Sequence, residues 1–216
     1  MPNMSKIALV TGASRGLGFA MAEALAPTHH VVAVARTTGA LEDLDDRIQA
    51  AGGQSTLAPM DITNEGAMAQ LCRSIYDRWG SVDLWIHAAV HAAPLTPAAQ
   101  IDAKDWAKSM SINATSMGTL IPYISPLLGD NGTAMFFDDQ STGAKFHGCY
   151  AASKAAQITL VRSWAAETAT TGPRVLIETP PAMSTATRAR FHPGEDRDIL
   201  AHPRDVAATL ISKLYA

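Results

Sequence analysis

The sequence predicts an α/β protein: a Rossmann-like, doubly wound parallel sheet of about six strands in a three-layer α/β/α arrangement. Three observations predict it. Apolar runs of strand length alternate with segments of helical periodicity along most of the chain. The runs are continuously apolar, as strands buried on both faces must be. A glycine-rich turn, Thr11-Gly12-Ala13-Ser14-Arg15-Gly16-Leu17-Gly18, links the first run to the first helical segment.

Residues 7–10 form the first run, and residues 17–25 the first helix, stopped by Pro27. Residues 31–35 are the second run. Residues 41–51 carry apolar positions at helical spacing and stop at Gly52-Gly53. Residues 55–58 suit a third strand. Asn64 can cap a helix to Trp79, with Gly80 as its stop. Residues 82–89 read as the fourth strand. A long helical stretch starts near Asp102, and Pro122 and Pro126 predict a late bend or break. Residues 132–137 are the fifth strand, 150–170 a helix closed by Gly172-Pro173, and 174–178 the sixth strand. Residues 180–202 read as a loop, with a last helix from Pro203.

A chain of 216 residues supports one core, so 1–216 reads as a single domain. Apolar residues make up 47% and charged residues 17%, a globular balance. A net charge of −3 argues against a nucleic-acid or membrane-surface partner. No apolar run approaches the ~20 residues of a membrane span. Residues 1–6 lack the apolar stretch of a secretory signal. Cys72 and Cys149 have no CxxC or metal spacing, which suits reduced thiols in the cytoplasm. His29-His30 lacks partnering ligands, so no metal site is expected.

The glycine turn sits where a parallel sheet binds a dinucleotide. Glycine lets the backbone approach a pyrophosphate, and the helix start offers free N–H groups. An NAD binder usually ends its second strand in an acidic residue that holds the ribose hydroxyls. Here Arg36 stands there, followed by Thr37 and Thr38, and Arg15 lies within the turn. Two guanidinium groups suit a 2′-phosphate, so NADP(H) is expected over NAD(H).

Tyr150 and Lys154 are four residues apart at the start of a helix and share a face. An ammonium near a phenol favours the phenolate and lowers a pKa that is otherwise about 10. Such a pair can pass a proton to or from a substrate oxygen while a cofactor carries hydride.

With these motifs the chain resembles the short-chain dehydrogenase/reductase family. Thr11-Gly12-x-x-x-Gly16-x-Gly18 is similar to its cofactor turn, and Tyr150-x-x-x-Lys154 to its catalytic pair. Asp61-Ile62 corresponds to the segment that holds the adenine. Asn113 corresponds to the Asn of a proton relay. Thr179-Pro180-Pro181 and Thr185 lie where the family holds the carboxamide. The resemblance implies a reductase or dehydrogenase acting on a small-molecule carbonyl or alcohol. It also implies a homodimer or homotetramer built through the helices over 102–120 and 150–170. The stretch 186–196 is similar to the tail of some bacterial members.

The departures mark an atypical member. The family places a serine at the end of the fifth strand to orient the substrate oxygen. Here Asp139 takes that position by count along Met135-Phe136-Phe137-Asp138-Asp139, with Ser141 two residues on. A carboxylate there cannot donate to a carbonyl, and it raises the tyrosine pKa. Three outcomes stay open: Asp139 is protonated and donates, Ser141 takes the role, or the site is weak. The last leaves an NADP-binding sensor or partner subunit as the alternative function. His87-Ala88-Ala89-Val90 replaces the family's Asn-Asn-Ala-Gly, and Pro181 replaces a glycine. The family's seventh strand has no counterpart, so six are expected. Arg188, Arg190, His192 and Arg197 suit either an anionic substrate or a solvated loop face.

Overall fold

The computed structural model describes residues 6–139, 141 and 143–215. The signal-peptide reading of residues 1–5 lies outside them. Six strands form one sheet in the order β3-β2-β1-β4-β5-β6: β1 Lys6–Thr11, β2 His29–Ala35, β3 Gln54–Pro59, β4 Leu84–His87, β5 Thr133–Phe137 and β6 Arg174–Glu178. Every pairing is parallel, with Thr11 opposite both Val34 and His87 in register. The strand order reverses between β1 and β4, so the crevice beyond their carboxyl ends is where a ligand fits.

Strand alternation splits the core into two layers. Ile7, Leu9, Val32, Val34, Trp85 and Phe136 face one side. They pack with α3 (Glu65–Trp79), α5 (Ser116–Leu128) and α6 (Gly148–Glu167). Ala8, Val10, Val31, Ala33, Ile86 and Met135 face the other side. They pack with α1 (Gly16–Leu25), α2 (Thr38–Ala50) and α8 (Pro203–Leu214). The sheet is thus buried on both faces, as its continuously apolar strands require.

Two expectations are corrected. The helix after Asp102 does not break late. It runs as α4 (Ala103–Ser109), a π-helical segment Met110–Thr115 and α5, which passes through Pro122 and Pro126. Both prolines are exposed, so water can take the carbonyl bonds they forfeit. The irregularity lies upstream, in the π segment that carries Asn113. The expected loop over 180–202 holds a short helix, α7 (Ala186–Phe191), capped by the Thr185 side chain on the Arg188 N–H at 3.2 Å. Among the described residues no helix is long and apolar enough to cross a membrane.

Candidate active site

The glycine turn is built by close approach. Gly12 has φ +88°, and a Cβ there would lie 2.4 Å from the Ala89 nitrogen. A Cβ on Gly18 would lie 2.3 Å from the Gly12 oxygen. These two contacts press α1 against β1 and the segment after β4. The helix starts at Gly16 with no acidic residue in its first turn. Ser14, Arg15, Gly16 and Leu17, just before and at the start of α1, line the cavity, and the first N–H groups of the helix have no helical carbonyl to bond. That is a place for an anion, and a pyrophosphate fits it.

Arg36 follows β2, and its guanidinium lies 3.6 Å from an Asp61 carboxylate oxygen. Asp61 also accepts from the Thr63 N–H at 3.0 Å and hydroxyl at 2.8 Å. Partial burial pushes its pKa up, but the Thr63 bonds and Arg36 outweigh it, and Asp61 ends below the usual carboxylate range. Ile62 beside it is buried.

Behind the turn, Thr11 and His87 close the β1–β4 crevice. The Thr11 hydroxyl lies 2.8 Å from His87 Nδ1 and accepts from the Trp85 indole N–H at 3.2 Å. Burial, with the Lys154 charge nearby, pushes the His87 pKa down to about 3, so the ring is neutral. Its Nε2 has no partner among the described residues, and the ring lines the cavity. Ala88 and Ala89 continue that wall. Asn113 grips the next residues: it accepts from the His91 N–H at 2.7 Å and donates to the His91 carbonyl and to Ser153 Oγ, both at 2.9 Å.

The reacting end gathers on α6 and beyond β5. Tyr150, in the first turn of α6, donates its phenolic proton to Asp139 Oδ2. The Ser141 hydroxyl and its N–H, the latter at 2.9 Å, both donate to Asp139 Oδ1. Lys154 turns elsewhere, donating to the Phe137 carbonyl at 2.7 Å and the Gln157 amide oxygen at 2.5 Å. The expected acidification of Tyr150 by Lys154 is therefore reversed. Burial, and then the Asp139 carboxylate, raise the Tyr150 pKa. Burial pulls the Lys154 pKa down to about 8. For Asp139, burial pushes upward, but the bonds from Ser141 and Tyr150 and the Lys154 charge prevail, so its pKa is lowered.

A flap over this end comes from α7. The Phe191 ring meets Tyr150 edge-on, centroids 4.9 Å apart, and His147 at 5.0 Å. Arg188 forks onto Glu195 at 2.6 and 2.5 Å, and Arg190 donates to the Ala92 carbonyl at 2.6 Å. Both guanidiniums hold the flap itself.

One cavity of about 820 Å³ joins these parts. The expected residues line it, Pro180 and Thr185 included, except Thr11 and Asn113, which support it from behind. Sequence reasoning missed His147, Phe191, Ser153 and Gln157. Only Gln157 had a readable signal, one turn along the face of Lys154.

A family profile described as short chain dehydrogenase matches residues 6–196. A fatty acyl-CoA reductase from Acinetobacter baylyi is 31% identical over 168 residues, which span 75% of this chain and 57% of that protein. The chain thus spans little more than half the length of that relative. A solved short-chain dehydrogenase structure from Pseudomonas syringae superposes with a TM-score of 0.88 at 27% identity, covering 98% of this chain and 90% of that one. Another, from Shigella flexneri 2a and in complex with NADP, superposes at 0.84 with 27% identity, covering 93% and 87%.

Proposed function

The chain belongs to the short-chain dehydrogenase family, and on that premise we propose that it is an NADP(H)-dependent oxidoreductase of the carbonyl reductase or alcohol dehydrogenase type. The observation that carries the reading is the single cavity with the glycine turn and Arg36 at one end and Tyr150 and Lys154 at the other. When bound, the nicotinamide supplies or takes the hydride.

The chain's own residues do the rest. Thr11, Gly12 and Gly18 shape the turn, and the N–H groups from Ser14 to Leu17 hold the pyrophosphate. Arg15 and Arg36 hold the 2′-phosphate, which is the basis for NADP(H) over NAD(H). Asp61 and Ile62 take the adenine, and His87, Ala88 and Ala89 form the wall beside the nucleotide. The Lys154 N–H left over from Phe137 and Gln157 would reach the nicotinamide ribose, while Pro180 and Thr185 would take the carboxamide. Tyr150, kept protonated by burial and by Asp139, is the proton donor at the reacting oxygen. Ser141 positions that oxygen; Asp139, whose pKa is lowered, accepts protons and does not donate one. Asn113 fixes the loop at His91 and keeps a relay water. We read 1–216 as one such domain, cytoplasmic, in a homodimer or homotetramer.

Titration with NADPH and NADH, followed by nucleotide fluorescence, tests the cofactor. Tight NADPH and weak NADH binding is expected, and binding of neither overturns the reading. With a carbonyl substrate, Tyr150→Phe is expected to abolish turnover and spare NADPH binding. Unchanged turnover in that variant removes Tyr150 from its role.

A further inference from the structure

The hydrogen bonds around Asp139 run in one direction. Tyr150 donates to Oδ2, and the Ser141 hydroxyl and N–H donate to Oδ1. Both hydroxyls that would steady a substrate oxygen spend their protons on the carboxylate. A carboxylate has about four acceptor directions. Among the described residues three are taken, two on Oδ1 and one on Oδ2, and Asp139 itself lines the cavity. A neutral carbonyl oxygen placed against Asp139 meets a carboxylate and two hydroxyls whose protons are already committed to it. A group that carries an N–H and a positive charge meets what it needs.

The nearby charges agree. Lys154 is committed to Phe137 and Gln157, and Arg188 is paired with Glu195. Asp138 is paired with Arg162 at 3.1 Å. His147 and His192 lie on the flap side. The Tyr150 phenol is bonded to the carboxylate, and the Phe191 ring stands edge-on to the Tyr150 ring at 4.9 Å. An aromatic wall next to an anion is a usual setting for an organic cation.

We propose that, within the hydride-transfer reading and resting on it, the reacting group of the substrate is a protonated imine, or the amine formed from it, with its N–H on Asp139 Oδ2. The step balances without a proton. The imine carbon gains the hydride that leaves C4 of the dihydronicotinamide: one C–H bond forms and one breaks. The C=N π pair becomes the nitrogen lone pair. The imine is reduced by two electrons and the nicotinamide is oxidised by two. Tyr150 keeps its proton throughout, as its bond to Asp139 favours.

The test uses a matched pair of bicyclic probes with NADPH at mildly acidic pH: the imine 3,4-dihydroisoquinoline and its carbon analogue 1-tetralone. The natural protein is expected to reduce the imine with a kcat/KM roughly tenfold or more above the ketone, the size of one charge-assisted hydrogen bond. Asp139→Ser is expected to erase or invert that ratio. Asp139→Asn, which keeps the shape and loses the charge, gives the same answer should the serine variant fold poorly. Calorimetry supplies a readout independent of turnover: tetrahydroisoquinolinium should bind the NADP-loaded protein roughly tenfold tighter than it binds Asp139→Asn. A ratio at or below one, an Asp139 substitution that leaves it unchanged, or no binding of either probe overturns the imine assignment. Nucleotide binding is measured alongside. Loss of NADPH binding marks failure of the hydride-transfer reading itself, whereas NADPH binding with a ketone preference sinks only the imine.

Discussion

Replacing Lys154 with Met should remove one specific slope from the pH dependence of stability. The ammonium is buried, 7% exposed, and sits on the Phe137 carbonyl and the Gln157 amide. Burial takes its pKa from 10.5 to about 8 in the folded protein, against the pull of Asp139 and Asp138. Below the folded value both states hold the proton, and the fold carries the full cost of the buried charge. Between about 8 and 10.5 the folded state has released the proton and the unfolded state has not. The unfolded state then binds more protons, so stability rises with pH, by about 1.4 kcal/mol per pH unit. Over the drop from 10.5 to about 8 the gain is about 3 kcal/mol. Above the unfolded value the effect is flat again.

Urea unfolding followed by tryptophan fluorescence, on the natural protein and Lys154→Met across this window, gives the difference curve. Groups common to both proteins cancel in the difference. The variant leaves two buried oxygens without their donor, which lowers it by a constant amount at every pH. Only the slope reports the lysine. Parallel stability profiles for the two proteins between the folded and unfolded values would refute the reasoning.

Gly12→Ala should destabilise by roughly 3 kcal/mol or more, since it adds a Cβ against main chain at a left-handed φ; chemical denaturation measures this, and a near-neutral result contradicts the close approach at Ala89. Arg36→Ala should weaken NADPH binding roughly tenfold and leave NADH binding nearly unchanged. The melting temperature should hold in that variant, because the Arg36–Asp61 pair is solvent-exposed. Glu195→Gln should free Arg188 and loosen α7, seen as faster amide exchange over Ala186–Phe191 and a KM raised severalfold with kcat little changed.

The sheet was largely legible because burial on both faces leaves no ambiguity of period. All seven residues of His29–Ala35 are buried. The glycine turn was legible for a related reason: main-chain contacts as tight as those at Gly12 and Gly18 admit no side chain. The π segment was not. Its effect is to aim Asn113 at the main chain of His91, a partner 22 residues away, and no local residue pattern encodes that. Pro122 and Pro126 drew the expected break to the wrong place, since proline's penalty depends on whether the orphaned carbonyl reaches water. The α7 helix had a readable sign in Thr185, a capping residue before Ala186, but at six residues its periodicity is too short to register.

The polarity of the site was the part that spacing could least supply. An i, i+4 relation puts Tyr150 and Lys154 on one face of α6, and it does not say what that face meets. What it meets is the end of β5. The Phe137 carbonyl lies there for Lys154, and the Asp139 carboxylate for Tyr150. Each polar head takes the partner of opposite character, so cation and phenol are held to different atoms. The phenol's acidity then follows from burial and from Asp139, and not from the ammonium one turn away. The same carboxylate decides which way the Ser141 hydroxyl points. A neutral side chain at 139 would release both protons toward the cavity. Aspartate turns them inward, so the residue at this position sets whether the reacting end offers protons or receives them.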